Sequence, residues 1–311
     1  MTPGFQPVTA ELARGKPLFN HTDIELPYRS ARPIPDPEVI AFLDEFERTP
    51  LRASLEDQHI RLRFLEAFPE WLLASQLNSL NNLNSLPIVA YTNGTIQAFD
   101  AFYLQHARRR FRCFQSEFMY HRATWRDRLD FLSIDAAPLA VGDAVVISLP
   151  FSDLGGKHPQ TDEVIDRCNY LNIPVLIDCA YMNIAAGMSL DFSQPSIQVA
   201  TFSLSKTFHG LDKLRIGVRF SRQFNDDLVD IFNTVEMSNQ FSCAVGLAAI
   251  NRFPADFNCT KYREKQVGLC RELGITPTDC VIFGLGDDRW NMYSRGGGAN
   301  RLCLSAALAA S

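Results

Sequence analysis

Apolar residues recur at helical spacing in two stretches early in the chain. The first, EVIAFLDEFER, follows Pro37, and the second runs from about Leu55 to Leu80 with Ile60, Leu62, Leu65, Phe68 and Leu72 on its apolar side. At Pro87 the texture changes. LPIVAY predicts a short apolar strand, and Thr92-Asn93-Gly94-Thr95 a turn. A helix follows with Ile96, Phe99 and Tyr103 on one face, and Thr95 is expected to cap it. FRCFQSEFMY (111–120) predicts a strand with aromatic residues near its end, and AVVISLPF (144–151) a fully apolar strand. SDLGGKHP is a loop, QTDEVIDRCNYLN a helix, and IPVLIDCAY (173–181) and QVATFSLS (198–205) are two more buried strands.

Strand and helix thus alternate from about residue 87 to 220, and buried apolar strands of this kind indicate a mainly parallel sheet with helices on both faces. In such sheets ligands bind outside the strand ends. Gly94, Ser152, Asp178 and Lys206 all follow apolar strands, which groups them. Beyond Phe220 a long helical region, interrupted near Phe253-Pro254, reaches about Leu273. A strand CVIFGLG, a glycine-rich loop SRGGGANR and a final strand RLCLSAAL complete the chain. The expected division is an N-terminal arm and first helix (1–50), a large domain (51–239) and a small α+β domain (240–311). The arm, rich in proline and turn residues to about residue 36, is expected to pack on something larger. Its Arg29 and Arg32 could reach a ligand, although scattered surface cations would look the same.

The net charge of −5 leaves no electrostatic footprint for nucleic acid, and His106-Ala107-Arg108-Arg109-Arg110 reads as the solvated end of a helix. No window approaches a membrane-spanning apolar run, and the N-terminus lacks the pattern of a signal peptide. Eight cysteines show no CxxC pair, and several sit in apolar runs, which favours a reducing, cytoplasmic compartment. The six histidines are scattered without ligand-like spacing, so no metal is expected.

The stretch TFSLSKTFHGLDKLRIGVRF (201–220) carries the most chemistry. Lys206 lies among Ser203, Ser205 and Thr207, and Arg215 follows nine residues later. An amine that forms a Schiff base, with hydroxyls and a guanidinium for a phosphate, suits a phosphorylated aldehyde. Taken alone, the same residues would serve equally as a solvated loop with two ordinary cations.

Together the segments resemble the fold-type I pyridoxal-phosphate enzymes, specifically the class I/II aminotransferases, over about residues 87–305. Ser203-Leu204-Ser205-Lys206 resembles the family's S-x-x-K segment, which implies that Lys206 carries pyridoxal 5'-phosphate as a Schiff base. Arg215 is then expected on the phosphate, with Lys213 the fallback because the spacing is one residue longer than the commonest pattern. Asp178-Cys179-Ala180-Tyr181 resembles the D-x-A-Y segment, which puts Asp178 beside the pyridine nitrogen and Tyr181 on the ring's phenolic oxygen. Asn93-Gly94-Thr95 resembles the phosphate-cradling turn, where glycine lets the backbone approach an anion at a helix start. Phe118 and Tyr120 both fall where the family's ring-stacking aromatic is expected, with Tyr120 narrowly preferred. Ser152 stands where many relatives carry an asparagine, a departure that bears on the reaction type. Arg301 in NRLCLS resembles the arginine that holds a substrate's α-carboxylate, with Arg295 the alternative.

The resemblance implies an aminotransferase acting on an amino acid and a keto acid, active as a homodimer. The rival within the same cofactor chemistry is elimination, cyclisation, decarboxylation or oxidation. A non-catalytic cofactor-binding protein is the reading from outside enzymology. The tyrosine that relatives contribute from the neighbouring subunit has no counterpart in LRASLEDQHIRLRFLEAF.

Overall fold

The computed structural model of the chain describes residues 27–48, 56–294 and 298–310. Its strands, numbered along the chain, are β1 (Ser79–Asn81), β2 (Ile88–Asn93), β3 (Arg110–Arg112), β4 (Asp143–Ser148), β5 (Val175–Cys179), β6 (Ser189–Asp191), β7 (Ile197–Ser203), β8 (Ile216–Ser221), β9 (Thr276–Pro277), β10 (Phe283–Gly286) and β11 (Asn300–Cys303). Six of them form the central sheet in the order β2-β8-β7-β5-β4-β3. From β7 through β5 and β4 to β3 every pairing is parallel, while β8 runs antiparallel to both β7 and β2. The sheet is therefore mainly parallel, as the apolar runs predict. β8 is reversed because the chain returns from β7 through a loop instead of crossing over a face of the sheet. That returning loop carries Lys206.

Alternation along each strand sends side chains to two faces. Val145, Ile147, Ile177 and Phe202 enter the larger core, while Ala144, Val146, Leu176 and Val199 enter a second cluster with Phe99, Phe102 and Tyr103 of the helix Thr95–Gln105. Because both faces are covered, β4 and β5 are buried at every position. On the larger face, Phe68 of the helix Ile60–Leu73 sits within 6.5 Å, ring centre to ring centre, of Phe202 and Phe220. The helix Gln240–Arg252 approaches the same helix closely at Gly246, where a Cβ would lie 2.9 Å from the Phe64 ring. Asp143 ties β3 to β4, accepting from Arg110 at 2.8 Å and Arg112 at 2.5 Å.

Three elements differ from expectation. The predicted strand 111–120 contains only β3; the chain then turns, Glu117 N–H donating to the Phe114 carbonyl, and a short helix Met119–Arg122 begins. The buried Glu117 carboxylate takes the Phe118 and Ser148 N–H groups, which draws this segment away from strand pairing. The predicted final strand stops at Cys303, and Ser305–Ala310 is helical, as its alanines favour. Thr95 is the first residue of its helix and not the cap; Gly94 holds that position at φ 74°, with no side-chain capping bond.

β9, β10 and β11 form a separate antiparallel sheet beside the helix Phe257–Leu273. The arm lies against this region. The Tyr28 carbonyl accepts from Cys303 N–H at 2.8 Å, and Asp36 is buried against Tyr262 and Lys261. Those ties fix where residues 29–31 run.

Candidate functional site

The ends of β2, β4, β5 and β7 open on a cavity of roughly 740 Å³. Thr95, Ser152, Asp178, Tyr181, Lys206, Arg215 and Arg301, all singled out from sequence, line it. They come from segments up to about two hundred residues apart, and the strand ends bring them together. Arg29 also lines the cavity.

Gly94 and Arg215 make one end. Arg215 is left-handed (φ 56°) at the end of a short helix Leu211–Leu214, and its guanidinium lies against Gly94 so closely that any Cβ there would collide with it. Gly217 presses from the neighbouring strand, where a Cβ would sit 2.8 Å from the Gly94 backbone. Two glycines at one crossing let a guanidinium and a helix start converge on the same point, an arrangement suited to an oxyanion. Asn93 is exposed, and its N–H donates to Gln97 Oε1 at 2.8 Å, so it shapes the turn from outside the cavity wall.

Asp178, at the end of β5, is 5 % exposed. Its Oδ1 accepts from Ala180 N–H at 3.0 Å, and its Oδ2 lies 3.3 Å from His121 Nε2. His121 is buried and pairs through Nδ1 with the Tyr103 hydroxyl at 2.5 Å. No pattern in the sequence pointed to His121; its one signal was a position three residues after Phe118. Phe118 lines the cavity, whereas the Tyr120 hydroxyl donates to Asp100 at 2.6 Å and its ring stands outside the wall. Phe118 precedes the helix Met119–Arg122 and Tyr120 lies within it; their rings stack nearly parallel with centres 6.4 Å apart, and Phe118 is the one on the cavity side.

Lys206 extends from the β7–β8 loop, and its ammonium donates to the Ala31 carbonyl at 2.8 Å. Burial holds its pKa below the ordinary lysine value; Arg215 and Arg301 add to the depression and Asp212 opposes it. A depressed pKa raises the share of neutral, nucleophilic amine. Ser203 stands behind this loop: its hydroxyl lies 2.8 Å from that of Ser205 and accepts the Ser205 N–H at 3.1 Å. Ser205 lines the cavity and Ser203 does not.

Arg301, in β11, is 5 % exposed. It donates to the Ser152 carbonyl and, at 3.4 Å, to the Ser30 carbonyl. Its guanidinium lies 4.1 Å over the Phe283 ring, and its buried Nε has no hydrogen-bond partner. Among the described residues no carboxylate pairs with it. A buried cation at a cavity wall, held by two carbonyl oxygens, the Ser152 hydroxyl at 3.4 Å and an aromatic ring, is suited to receive an anion. Tyr181 is half-buried, edge-on to Phe283 at 5.5 Å. Lys213, the fallback to Arg215, is exposed and paired with Asp212, and Arg295 lies outside the described residues. The Arg32 carbonyl accepts from Ser305, and Arg32 is not part of the cavity lining.

No family model and no curated protein sequence matches the chain. Solved structures do. The "probable N-succinyldiaminopimelate aminotransferase" from Thermus thermophilus superimposes with a TM-score of 0.65 at 14 % identity, over 90 % of each chain. A "PLP-bound putative aminotransferase" from Clostridium difficile 630 gives a TM-score of 0.64 at 12 % identity, covering 91 % of this chain and 88 % of its own. A "putative plp-dependent beta-cystathionase" from Corynebacterium diphtheriae gives 0.61 at 13 % identity, covering 97 % and 95 %. The chain therefore shares the fold of the fold-type I pyridoxal-phosphate enzymes over nearly its whole length.

Proposed function

We propose that the chain is a pyridoxal-phosphate-dependent enzyme, an aminotransferase moving an amino group between an α-amino acid and a keto acid. One observation carries this: a lysine with depressed pKa, a buried aspartate and a buried arginine with no acidic partner among the described residues face one cavity. The residues fit the cofactor. Lys206 would hold its aldehyde carbon, Arg215 with the N–H groups at Gly94–Thr95 its phosphate, and Asp178 its ring nitrogen. Phe118 would cover one ring face, and Tyr181 and Ser152 would meet the ring oxygen. The unpaired guanidinium of Arg301 is suited to a substrate carboxylate, which it can grip through two parallel hydrogen bonds.

The bound cofactor supplies an electron sink for negative charge at the substrate's α-carbon. The chain supplies placement and proton transfer. Arg301 fixes the carboxylate and so the orientation of the α-carbon bonds, a large part of rate enhancement in such sites. The Lys206 amine would hold or move the proton at the α-carbon, and its depressed pKa suits a general base near neutral pH. Asp178, held by Ala180 N–H and His121, presents its carboxyl group to the cavity.

Elimination or another reaction on the same cofactor is the second reading. Ser152 favours it: a hydroxyl there reaches less far than an asparagine amide, and its carbonyl is already engaged by Arg301. The test is a single-turnover mixture of holoenzyme and amino acid without a keto acid. Transamination leaves stoichiometric keto acid and an aminated cofactor; a released fragment with unchanged cofactor would refute it in favour of elimination.

A homodimer is part of the proposal. Leu228, Ile231 and Val235, spaced along one side of the helix Leu228–Thr234 and its end, are 56, 41 and 54 % exposed, with Phe224 and Met237 at 55 and 70 % beside them in sequence. A contiguous apolar face of this kind marks an association surface. All eight cysteines are free and buried, which supports a reducing, cytoplasmic setting. Among the described residues no helix is long and apolar enough to cross a membrane.

A further inference from the structure

Behind the cavity wall lies a second carboxyl group that the proposed chemistry does not use. Glu117 is 1 % exposed and outside the cavity lining. Its Oε1 accepts from Phe118 N–H at 2.8 Å and from the Ser148 hydroxyl at 2.6 Å, and its Oε2 accepts from Ser148 N–H at 2.9 Å. Ser148 does line the cavity, and its hydroxyl oxygen also lies 3.5 Å from Asp178 Oδ2. A serine hydroxyl has one proton to give. With acceptors at 2.6 and 3.5 Å, that proton goes to Glu117, and Asp178 receives nothing from Ser148.

We infer that Glu117 is a positioning residue: its carboxylate holds the Ser148 proton away from Asp178 and so leaves Asp178 with one donor fewer, free to pair with the cofactor's ring nitrogen. The inference rests on the proposed cofactor. Its physics is the count of hydrogen bonds on Asp178, since each donor to a carboxylate stabilises the charged form and lowers its basicity. Three donors and no acceptor surround Glu117, the pattern an ionised carboxylate requires. Burial pushes its pKa up, against His121 and the Ser148 and Phe118 donors. Cys113, Tyr103 and Asp178 are the other titratable groups that sense this region. Protonation of Glu117, or its replacement by glutamine, would put a donor where the Ser148 proton now points. Ser148 would then accept from residue 117 and turn its own proton onto Asp178.

The test uses holoenzyme loaded with ring-labelled cofactor. The nitrogen NMR shift of the ring and the pH midpoint of the cofactor's absorption band are read for wild type, Glu117→Gln, Ser148→Ala and the double variant. Glu117→Gln is expected to lower the ring nitrogen's pKa by about one unit, a tenfold change in its protonation constant. Ser148→Ala should leave that pKa near the wild-type value, because Asp178 already lacks the Ser148 proton. The double variant should match Ser148→Ala, since the messenger is gone. A shift in Glu117→Gln that persists in the double variant overturns the inference, as does a comparable shift in Ser148→Ala alone. Should Glu117→Gln not fold, Glu117→Ala takes its place: with no acceptor at residue 117 the Ser148 proton turns to Asp178, the same fall in the ring pKa is expected, and no fall overturns the inference. Absence of any cofactor absorption in wild type would instead refute the cofactor reading itself.

Discussion

Replacing Arg301 with leucine tests the carboxylate receptor directly. The side chain is 5 % exposed, no carboxylate among the described residues pairs with it, and two carbonyl oxygens orient it. Removing one member of a buried, hydrogen-bonded charge pair costs about 2–5 kcal/mol of binding. At about 3 kcal/mol the dissociation constant for an α-methyl amino acid, which cannot lose an α-proton, should rise on the order of 100-fold. The stability of the ligand-free protein should move far less. Leucine relieves a desolvated cation but takes one donor from each of the Ser152 and Ser30 carbonyls, at about 1–3 kcal/mol each, and gives up the contact with Phe283; these oppose one another. Titration followed by cofactor absorbance gives the affinity, and thermal unfolding of the apoprotein gives the stability. Arg301→Lys keeps the charge and loses the fork, and should fall between leucine and wild type. If Arg301→Leu binds the ligand within about threefold of wild type, the carboxylate sits elsewhere and the assignment is wrong.

Other outcomes can be checked on the same protein. Because burial lowers the Lys206 pKa, the folded apoprotein binds fewer protons than the unfolded chain between that depressed value and the ordinary lysine value. Apoprotein stability should therefore rise with pH across that window, and Lys206→Met should flatten the rise in urea melts at several pH values; an unchanged slope would refute the depressed pKa. Gly217→Ala would press a methyl group to 2.8 Å from the Gly94 backbone and should cost roughly 1–3 kcal/mol in chemical denaturation, with faster cofactor release. Leu228→Glu with Val235→Glu should convert a sedimenting dimer to monomer; a monomeric wild type would defeat the dimer proposal.

How far the sequence disclosed the site depends on what kind of signal each residue leaves. Asp178 and Lys206 follow apolar strands buried on both faces, so the pattern gave their location and their chemistry stood out against it. Gly94 and Arg215 were legible because a left-handed glycine before a helix and a cation near a lysine are local features. Their collision-close packing, enforced by Gly217 across the β2–β8 pair, is a tertiary fact with no local trace. The segment 111–120 shows the opposite case. Its alternating aromatics suggest a strand, but one buried carboxylate, Glu117, takes the Phe118 N–H within the segment and the Ser148 N–H at the end of β4, and the backbone turns into a short helix. That turn decides that Phe118 and not Tyr120 lines the cavity, and it brings His121 to Asp178. Hydrophobic periodicity has no means of registering a polar residue buried for its hydrogen bonds. The residues hardest to read from the chain, Glu117, His121 and Ser148, are accordingly those that hydrogen bonds link to Asp178 directly or through one another. Glu117 and His121 lie outside the cavity lining while Ser148 belongs to it, and only the separations around the Ser148 hydroxyl, 2.6 Å against 3.5 Å, say which way its proton points.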